Sequence, residues 1–482
     1  MEFQPSLMMV IALLLSLLFW LARIYKQKIK AEKLPPGPWK LPLIGNLHQL
    51  AVAGTLPHHT LQNLSNKYGP LMHLQLGQIS ARPELLAPKI LAYGSADIAF
   101  SPYGDYWRHM RKTAPYGDYW RHMRKICTLE LLSAKRVQSF SFIREDEVNK
   151  LIESIQACAC TGSPVNVSKS VSSSVSTIVT RAAFGKKSEH QERLLCLLKE
   201  GVELAGGLEK MHEEVDKILD NIISEHRSKH QKGEAEENLV DVLLRIQQSA
   251  TLDTPVTMDN IKAIIWGDIF GAGSDTSGVV LEWSMSELLR NPRVMKKAQS
   301  EIREALKGKK RVSESEVQEV SYLKWVIKET LRLHPSAPLL LPRECREACM
   351  IGGYEIAVKT KVIVNAWAIG RDPKHWYDAE KFIPERFDGT DFDFKGNNFE
   401  YIPFGGGRRM CPGILLGLAN IQLPLAALLY HFDWEIPNGI KPEKLDMAES
   451  FGASVGRKNN LYLLPTPFQY SLHHHLIVDT PS

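Results

Sequence analysis

The chain has 482 residues, 44% hydrophobic and 23% charged, values that allow a large buried core and exclude a disordered or fibrous class. Its formal charge of +5 is a mild basic excess with no concentrated run of lysine and arginine. That excludes a nucleic-acid-binding stripe and leaves an acidic protein partner or an anionic membrane surface.

Seven cysteines, odd in number and widely spaced, exclude a disulfide framework and place most of the chain in a reducing compartment. Cys345 and Cys349 are near neighbours, but no second Cys or His pair follows them at the spacing a structural zinc needs. From Leu7 to Ala22 the sequence is almost entirely apolar. Extended back to Pro5 it gives about 18 residues, near the lower limit for spanning a bilayer core. Arg23, Lys26, Lys28, Lys30 and Lys33 follow this run while only Glu2 precedes it, so the C-terminal flank is expected to stay cytosolic. No A-x-A-like cleavage pattern marks a removable signal. Residues 1–22 are expected to form a transmembrane signal anchor and 23–38 a basic, proline-rich hinge ending in Pro35, Pro36, Gly37 and Pro38. One large domain is expected over 39–467, with an irregular tail over 468–482 whose His473, His474 and His475 are solvated.

In the body, His59–Tyr68 predicts a short helix stopped by Gly69-Pro70, and Leu71–Leu76 a strand. Apolar spacing of three and four predicts amphipathic helices over 145–155 and 208–226, with a charged surface loop at 233–237. The longest predicted helix, 257–291, lies between Pro255 and Pro292 and would run ~50 Å. Ser313 to Glu316 reads as a capping box, 322–333 as a helix, and 354–365 as a hairpin. Residues 372–403 read as irregular and 412–430 as a helix. The fold class is therefore mainly α with small peripheral β sheets. Pro-Tyr-Gly-Asp-Tyr-Trp-Arg-His-Met-Arg-Lys occurs at 102–112 and again at 115–125, a local tandem duplication rather than a solenoid repeat.

The segment from Phe404 to Gly413 fits F-x-x-G-x-R-x-C-x-G, with Gly407, Arg409 and Cys411 at its fixed positions. Glycines permit a tight turn against a flat ligand and leave Cys411 near a helix start, where backbone N–H groups and the helix dipole favour a thiolate. A thiolate on haem iron promotes O–O cleavage, and Arg409 is placed to pair with a propionate. With five positions fixed together, a merely structural cysteine is the weaker reading.

These residues resemble the cytochrome P-450 monooxygenases, of the plant, terpenoid-oxidising, microsomal type (premnaspirodiene-oxygenase-like), and other motifs follow in the expected order. Glu329-Thr-Leu-Arg332 matches E-x-x-R and Pro384-Glu-Arg386-Phe387 matches P-E-R-F. Glu329, Arg332 and Arg386 are implied to form a structural charge cluster. Ala272-Gly-Ser-Asp275-Thr276-Ser matches the oxygen-activating stretch. There Thr276 would position a proton for activated oxygen and Asp275 would relay it. Arg343 resembles a second propionate arginine, and Trp107 with Arg111, or Trp120 with Arg124, the W-x-x-x-R pair over the other propionate. The copies are offset by 13 residues, so on one helix their arginines would point ~220° apart and only one can serve. The second copy runs unbroken into an apolar helical pattern, which favours Trp120 and Arg124. Phe270, Ala272, Ala337, Leu339, Leu340, Ser454 and Val455 are implied to line the substrate pocket.

The resemblance implies haem b (iron protoporphyrin IX) as cofactor and O2 and an apolar small molecule as substrates. It implies NADPH-cytochrome P-450 reductase as partner and a single-pass endoplasmic-reticulum location with a cytosolic catalytic domain. The chain departs from the family in three places. About 20 residues are missing after Ser80, judged by usual element lengths, a stretch of similar or larger size is missing after Gly207, and the Trp-Arg segment is duplicated. Both gaps fall in elements that would roof the pocket. Two other readings stay open: a haem-binding remnant impaired in catalysis, and a haem-thiolate isomerase or dehydratase.

Overall fold

The computed structural model describes residues 34–41, 44–50, 54–76, 93, 96–99, 118–185, 193–194, 196–197, 208–232, 238–249, 255–450, 452 and 454–468. The expected membrane anchor, the 233–237 loop and the His473–His475 run lie outside them. Two compact units are present, Met1–Pro83 with Leu339–Asn365, and Glu84–Pro338 with Ala366–Ser482.

The larger unit is helical and is organised by one long helix. Thr257 caps it in a reciprocal box with Asn260, and Asn291 ends it just before Pro292. Met258–Ala263 and Ala272–Arg290 are α-helical, but Ile264–Gly271 between them is wound as a π-helix. Such widening is uncommon and concentrates at functional sites. Nearly every side chain from Ser277 to Leu289 is buried.

Val167–Phe184 packs along this helix. Its serines and valines are poor helix formers, so propensity does not predict it. Packing decides instead: a side chain at Gly278 would begin 3.3 Å from the Ser172 Cα, so only small residues allow these backbones so near. Asn166 caps the helix through the Lys169 N–H, and Gly185 ends it with φ of 74°. Ser141–Cys160 and Ile414–His431 complete this core, the latter long and apolar enough to cross a membrane but largely buried here. Ser321–Leu333 closes the other side. A three-stranded antiparallel sheet of Val165–Asn166, Tyr462–Pro467 and Phe432–Glu435 edges the unit.

The smaller unit holds the helix Pro57–Tyr68, ended by Gly69 as expected. The expected strand over 71–76 does not form. His73 donates to the Pro36 carbonyl, Asn46 donates to the Gln75 carbonyl, and only Leu76 makes a bridge, to Gly45. Its neighbour Pro35–Pro38 lacks the N–H groups a ladder needs. The expected 354–365 hairpin also pairs otherwise. Tyr354–Ile356 turns back onto Cys349–Ile351 through Gly352 and Gly353, whose φ values of 56° and 84° meet the turn's demand for two left-handed residues. Lys361–Val362 pairs with Arg343–Glu344.

Candidate haem-thiolate site

Cys411 sits in a loop shaped by Gly405 and Gly407, with φ of 74° and 69°. The Cys411 N–H donates to the Phe404 carbonyl at 3.0 Å, closing the turn, and Phe404 packs edge-on against Phe394. Helix Ile414–His431 starts three residues on. The Gly413 N–H points at the Cys411 sulfur, and a side chain at Gly413 would begin 3.9 Å from it. Burial pushes the Cys411 thiol up, while the Gly413 N–H and the Arg124 charge pull it down.

The second copy of the duplicated segment is helical over Asp118–Ile126, then wound as a π turn over Cys127–Leu131. It brings Trp120 and Arg124 to the cysteine loop. Arg124 Nη2 donates to the Met410 carbonyl at 2.6 Å, next to Cys411. The Arg409 guanidinium lies 4.2 Å from the Trp120 ring centroid and Arg124 lies 5.6 Å from it. Trp107, Arg111 and Pro115 lie outside the described residues.

Sequence reasoning missed the peptide that ties these groups together. The Ile98 carbonyl accepts from Trp120 Nε1 at 3.2 Å and from Arg409 Nη1 at 2.9 Å. Its N–H donates to Asp268 at 2.8 Å, and the Ala99 N–H donates to the same carboxylate at 3.2 Å. Asp268 comes from the π-helical stretch of the long helix. Its carboxyl is pushed up to about 7 by burial, held from rising further by the two N–H groups and Arg124. One signal could have exposed it: Asp268 is the sole charged residue between Lys262 and Asp275.

Downstream on the long helix, Ala272 is exposed, and Gly273, Asp275 and Thr276 are partly so, while the flanking residues are packed. Thr276 Oγ1 donates to the Ala272 carbonyl at 2.6 Å, and Ser454 Oγ donates to the Asp275 carboxylate. A side chain at Gly417 would begin 3.9 Å from Ser277 Oγ, so the oxygen-activating stretch and the helix after Cys411 meet one residue past Thr276.

Behind the cysteine helix, Glu329 Oε2 accepts from Arg332 Nε at 2.7 Å. Glu329 Oε1 accepts from Arg332 Nη2 at 2.8 Å, Arg386 Nε at 2.9 Å and the Ile383 N–H at 2.8 Å. All three charged side chains are buried.

The expected pocket residues fall in both units. Phe270 is core, stacked on Trp266 with centroids 5.7 Å apart. Val455 is buried, its carbonyl accepting from Trp283 Nε1 at 3.1 Å and its N–H donating to the Ser336 carbonyl beside the half-buried Ala337. Arg343, Leu339 and Leu340 belong to the smaller unit, where Leu340 holds a left-handed φ of 50°. A large non-glycine side chain pays on the order of 1 kcal/mol for that conformation. An open cleft of about 740 Å³, lined by Lys324, Lys328, Phe392, Asn398, Leu418 and Gln422 among others, contains none of the seven pocket candidates.

A partly buried thiol with a backbone N–H aimed at it suits a metal ligand. Two guanidiniums against one tryptophan, with a single carboxylate beside them, leave positive charge that haem propionates would neutralise. The donor set fits haem: Cys411 would hold the iron, and Arg124 and Arg409 the propionates. The Cytochrome P450 family model matches residues 35–205 and 201–464. Cytochrome P450 71D8 of Glycine max is 51% identical over 522 aligned positions, covering 98% of this chain and 100% of that protein. Premnaspirodiene oxygenase of Hyoscyamus muticus is 48% identical, covering 96% of this chain and 98% of its own. A solved zebra fish cytochrome P450 with progesterone superposes with a TM-score of 0.72 at 25% identity, covering 86% of this chain and 100% of that one.

The chain belongs to the cytochrome P450 family, whose members bind haem b. The 522-position alignment exceeds this chain's 482 residues, so the soybean relative carries segments that this chain lacks. The family match also breaks at 201–205, beside the expected gap after Gly207.

The placement of Trp120 and Arg124 carries a prediction. Arg124→Ala should lower haem content clearly, read by pyridine haemochrome against protein, whereas Arg111→Ala should leave it near the parent value. Deleting 102–114 should preserve or improve haem content. If Arg111→Ala is the damaging change, the first copy holds the cofactor.

Proposed function

We propose that this chain is a monooxygenase that inserts one oxygen atom from O2 into an apolar small molecule, a terpenoid such as a sesquiterpene. Its electrons come from NADPH through NADPH-cytochrome P450 reductase. The observation that carries the reading is the Cys411 thiol with the Gly413 N–H aimed at it, Arg124 and Arg409 beside it, and the helix bearing Thr276 packed against the helix it precedes. When bound, a thiolate-ligated haem supplies the O2-activating chemistry. Cys411 would anchor it, and Arg124 and Arg409 would hold its carboxylates. Thr276, its hydroxyl turned onto the Ala272 carbonyl, needs only a χ1 rotation to release that proton for delivery. Asp275, hydrogen-bonded by Ser454, stands next in line to resupply it. The relative named for oxidising premnaspirodiene supports the terpenoid assignment. The apolar N-terminal run and its basic flank support an endoplasmic-reticulum membrane location with the catalytic body in the cytosol.

The test is turnover in microsomes with reductase, NADPH, isotopically labelled O2 and a panel of sesquiterpene hydrocarbons. The expected product gains one labelled oxygen and requires NADPH. A product formed without reductase would replace this reading with an isomerase or dehydratase. Haem binding without product would favour an impaired remnant, the reading to which the longer alignment and the broken family match lend weight. Thr276→Ala is expected to retain haem and to raise the NADPH consumed per product as oxygen is lost to peroxide; an unaltered ratio removes Thr276 from proton delivery. Removing residues 1–34 should move much of the folded protein from the membrane pellet to the supernatant. A truncated, haem-bearing protein that still pelleted fully would require a second membrane contact.

A further inference from the structure

Two cysteines in the smaller unit have no part in haem binding. Cys345 follows the strand Arg343–Glu344, and Cys349 opens the hairpin strand Cys349–Ile351. Their sulfurs lie 3.7 Å apart. Both residues are reduced, with Cys349 exposed and Cys345 partly so.

The backbone fixes this approach on both sides. The Cys345 N–H donates to the Thr360 carbonyl at 2.8 Å, and its carbonyl accepts from the Lys359 N–H at 2.6 Å. Cys349 is held by pairing with Ile356, whose carbonyl also lies 3.9 Å from the Cys345 sulfur. A bend at Glu347 lets residues four apart face each other, and the Glu347 carbonyl accepts from the Cys345 thiol at 2.9 Å. Forming an S–S bond of about 2.05 Å requires the sulfurs to close by roughly 1.7 Å, which side-chain torsions can supply. A metal is the poorer occupant. Two thiolates leave a tetrahedral site half-filled, and among the described residues no third metal-ligating side chain converges on the pair.

We propose that Cys345 and Cys349 form a reversible redox modification site, an exposed dithiol that low-molecular-weight disulfides convert to an intramolecular disulfide. One cysteine loses its proton and attacks a disulfide such as oxidised glutathione, forming a mixed disulfide and releasing one glutathione thiolate, which takes up that proton. The second cysteine, deprotonated in turn, attacks the protein sulfur of that mixed disulfide and expels the other glutathione. Two electrons pass from the protein to the small disulfide, and an added dithiol reverses the exchange. The crosslink pins the strand carrying Arg343 to the neighbouring hairpin.

Arg346 lies between the two cysteines, so trypsin separates them unless a bond joins them. The full-length haem-loaded protein in microsomes is incubated with mixtures of reduced and oxidised glutathione, blocked with iodoacetamide, digested and weighed. In oxidising mixtures the two peptides are expected to remain joined, two hydrogens lighter than the sum of the free thiol forms. Dithiothreitol should return both cysteines to full alkylation, and phenylarsine oxide should bridge the reduced pair one to one. Cys349→Ser should leave Cys345 carrying a stable glutathione adduct instead. The exposed Cys160 and Cys196 report mixed-disulfide formation in the same sample. Separate, fully alkylated peptides under oxidising conditions would overturn the proposal. So would a persistent glutathione adduct on Cys349 of the parent, or stoichiometric zinc that shields both thiols.

Discussion

Cys411→Ala is expected to abolish the red-shifted Soret band of the reduced, carbon-monoxide-bound protein together with all monooxygenase activity. The sulfur is the only group in its loop with the softness and charge to hold iron in thiolate form. One other thiol shares its surroundings: Cys127 feels the same two charged groups, Arg124 and Asp268. It is not placed to stand in, because it is fully buried in the π turn after the Trp120 helix and not in the glycine loop. Arg124 and Arg409 remain in the variant, so residual haem held without a thiolate would give a band at the ordinary, unshifted position. Retention of the red-shifted band would remove Cys411 from the iron.

Glu329→Ala is expected to prevent accumulation of folded protein. In the parent, one carboxylate faces two guanidiniums, and the remaining positive charge is absorbed by backbone carbonyls. Arg332 Nη1 donates to Gly370 and Ala379 at 2.6 and 2.7 Å, and Arg386 Nη1 donates to Tyr377 at 2.8 Å. Approach to Gly370 is so tight that a side chain there would begin 2.5 Å from the Arg332 carbonyl oxygen. Deleting Glu329 strands two buried cations and the Ile383 N–H together. Breaking a buried pair costs about 3–5 kcal/mol, a large fraction of the roughly 5–15 kcal/mol that holds a domain. Pulse proteolysis of freshly made protein reads this directly. A variant as protease-resistant as the parent, with haem at the parent level, would show that the cluster does not hold the core.

The parts of this site that were legible in the sequence are those whose geometry is local. The glycine-bounded Cys411 loop and the one-turn spacing of Glu329 and Arg332 are encoded within a few residues. So is the long helix, whose boundaries fall where Thr257 and Asn291 stand beside prolines. What was not legible depends on distant partners. Asp268 reads as an acid in an apolar run, and only folding brings it to Ile98 and Ala99, some 170 residues away. Val167–Phe184 is helical because Gly278 admits Ser172, not because serine and valine favour helix. The hairpin register was readable but misplaced: Gly352-Gly353 is the stronger turn signal, and it pairs Tyr354–Ile356 backward onto Cys349–Ile351 rather than forward. The Arg343 and Leu340 assignments rest on resemblance alone, since those residues sit in a separate compact unit.

This chain, which lacks segments that its soybean relative carries and has a duplication before the Trp120 helix, is expected still to build a thiolate-ligated haem site. The reduced-minus-carbon-monoxide difference spectrum of the unaltered full-length protein in microsomes tests it most directly. The expected result is the red-shifted Soret band of thiolate-bound haem, at an intensity matching the haem content. Haem content with only the unshifted band, or folded protein with no haem, would contradict it.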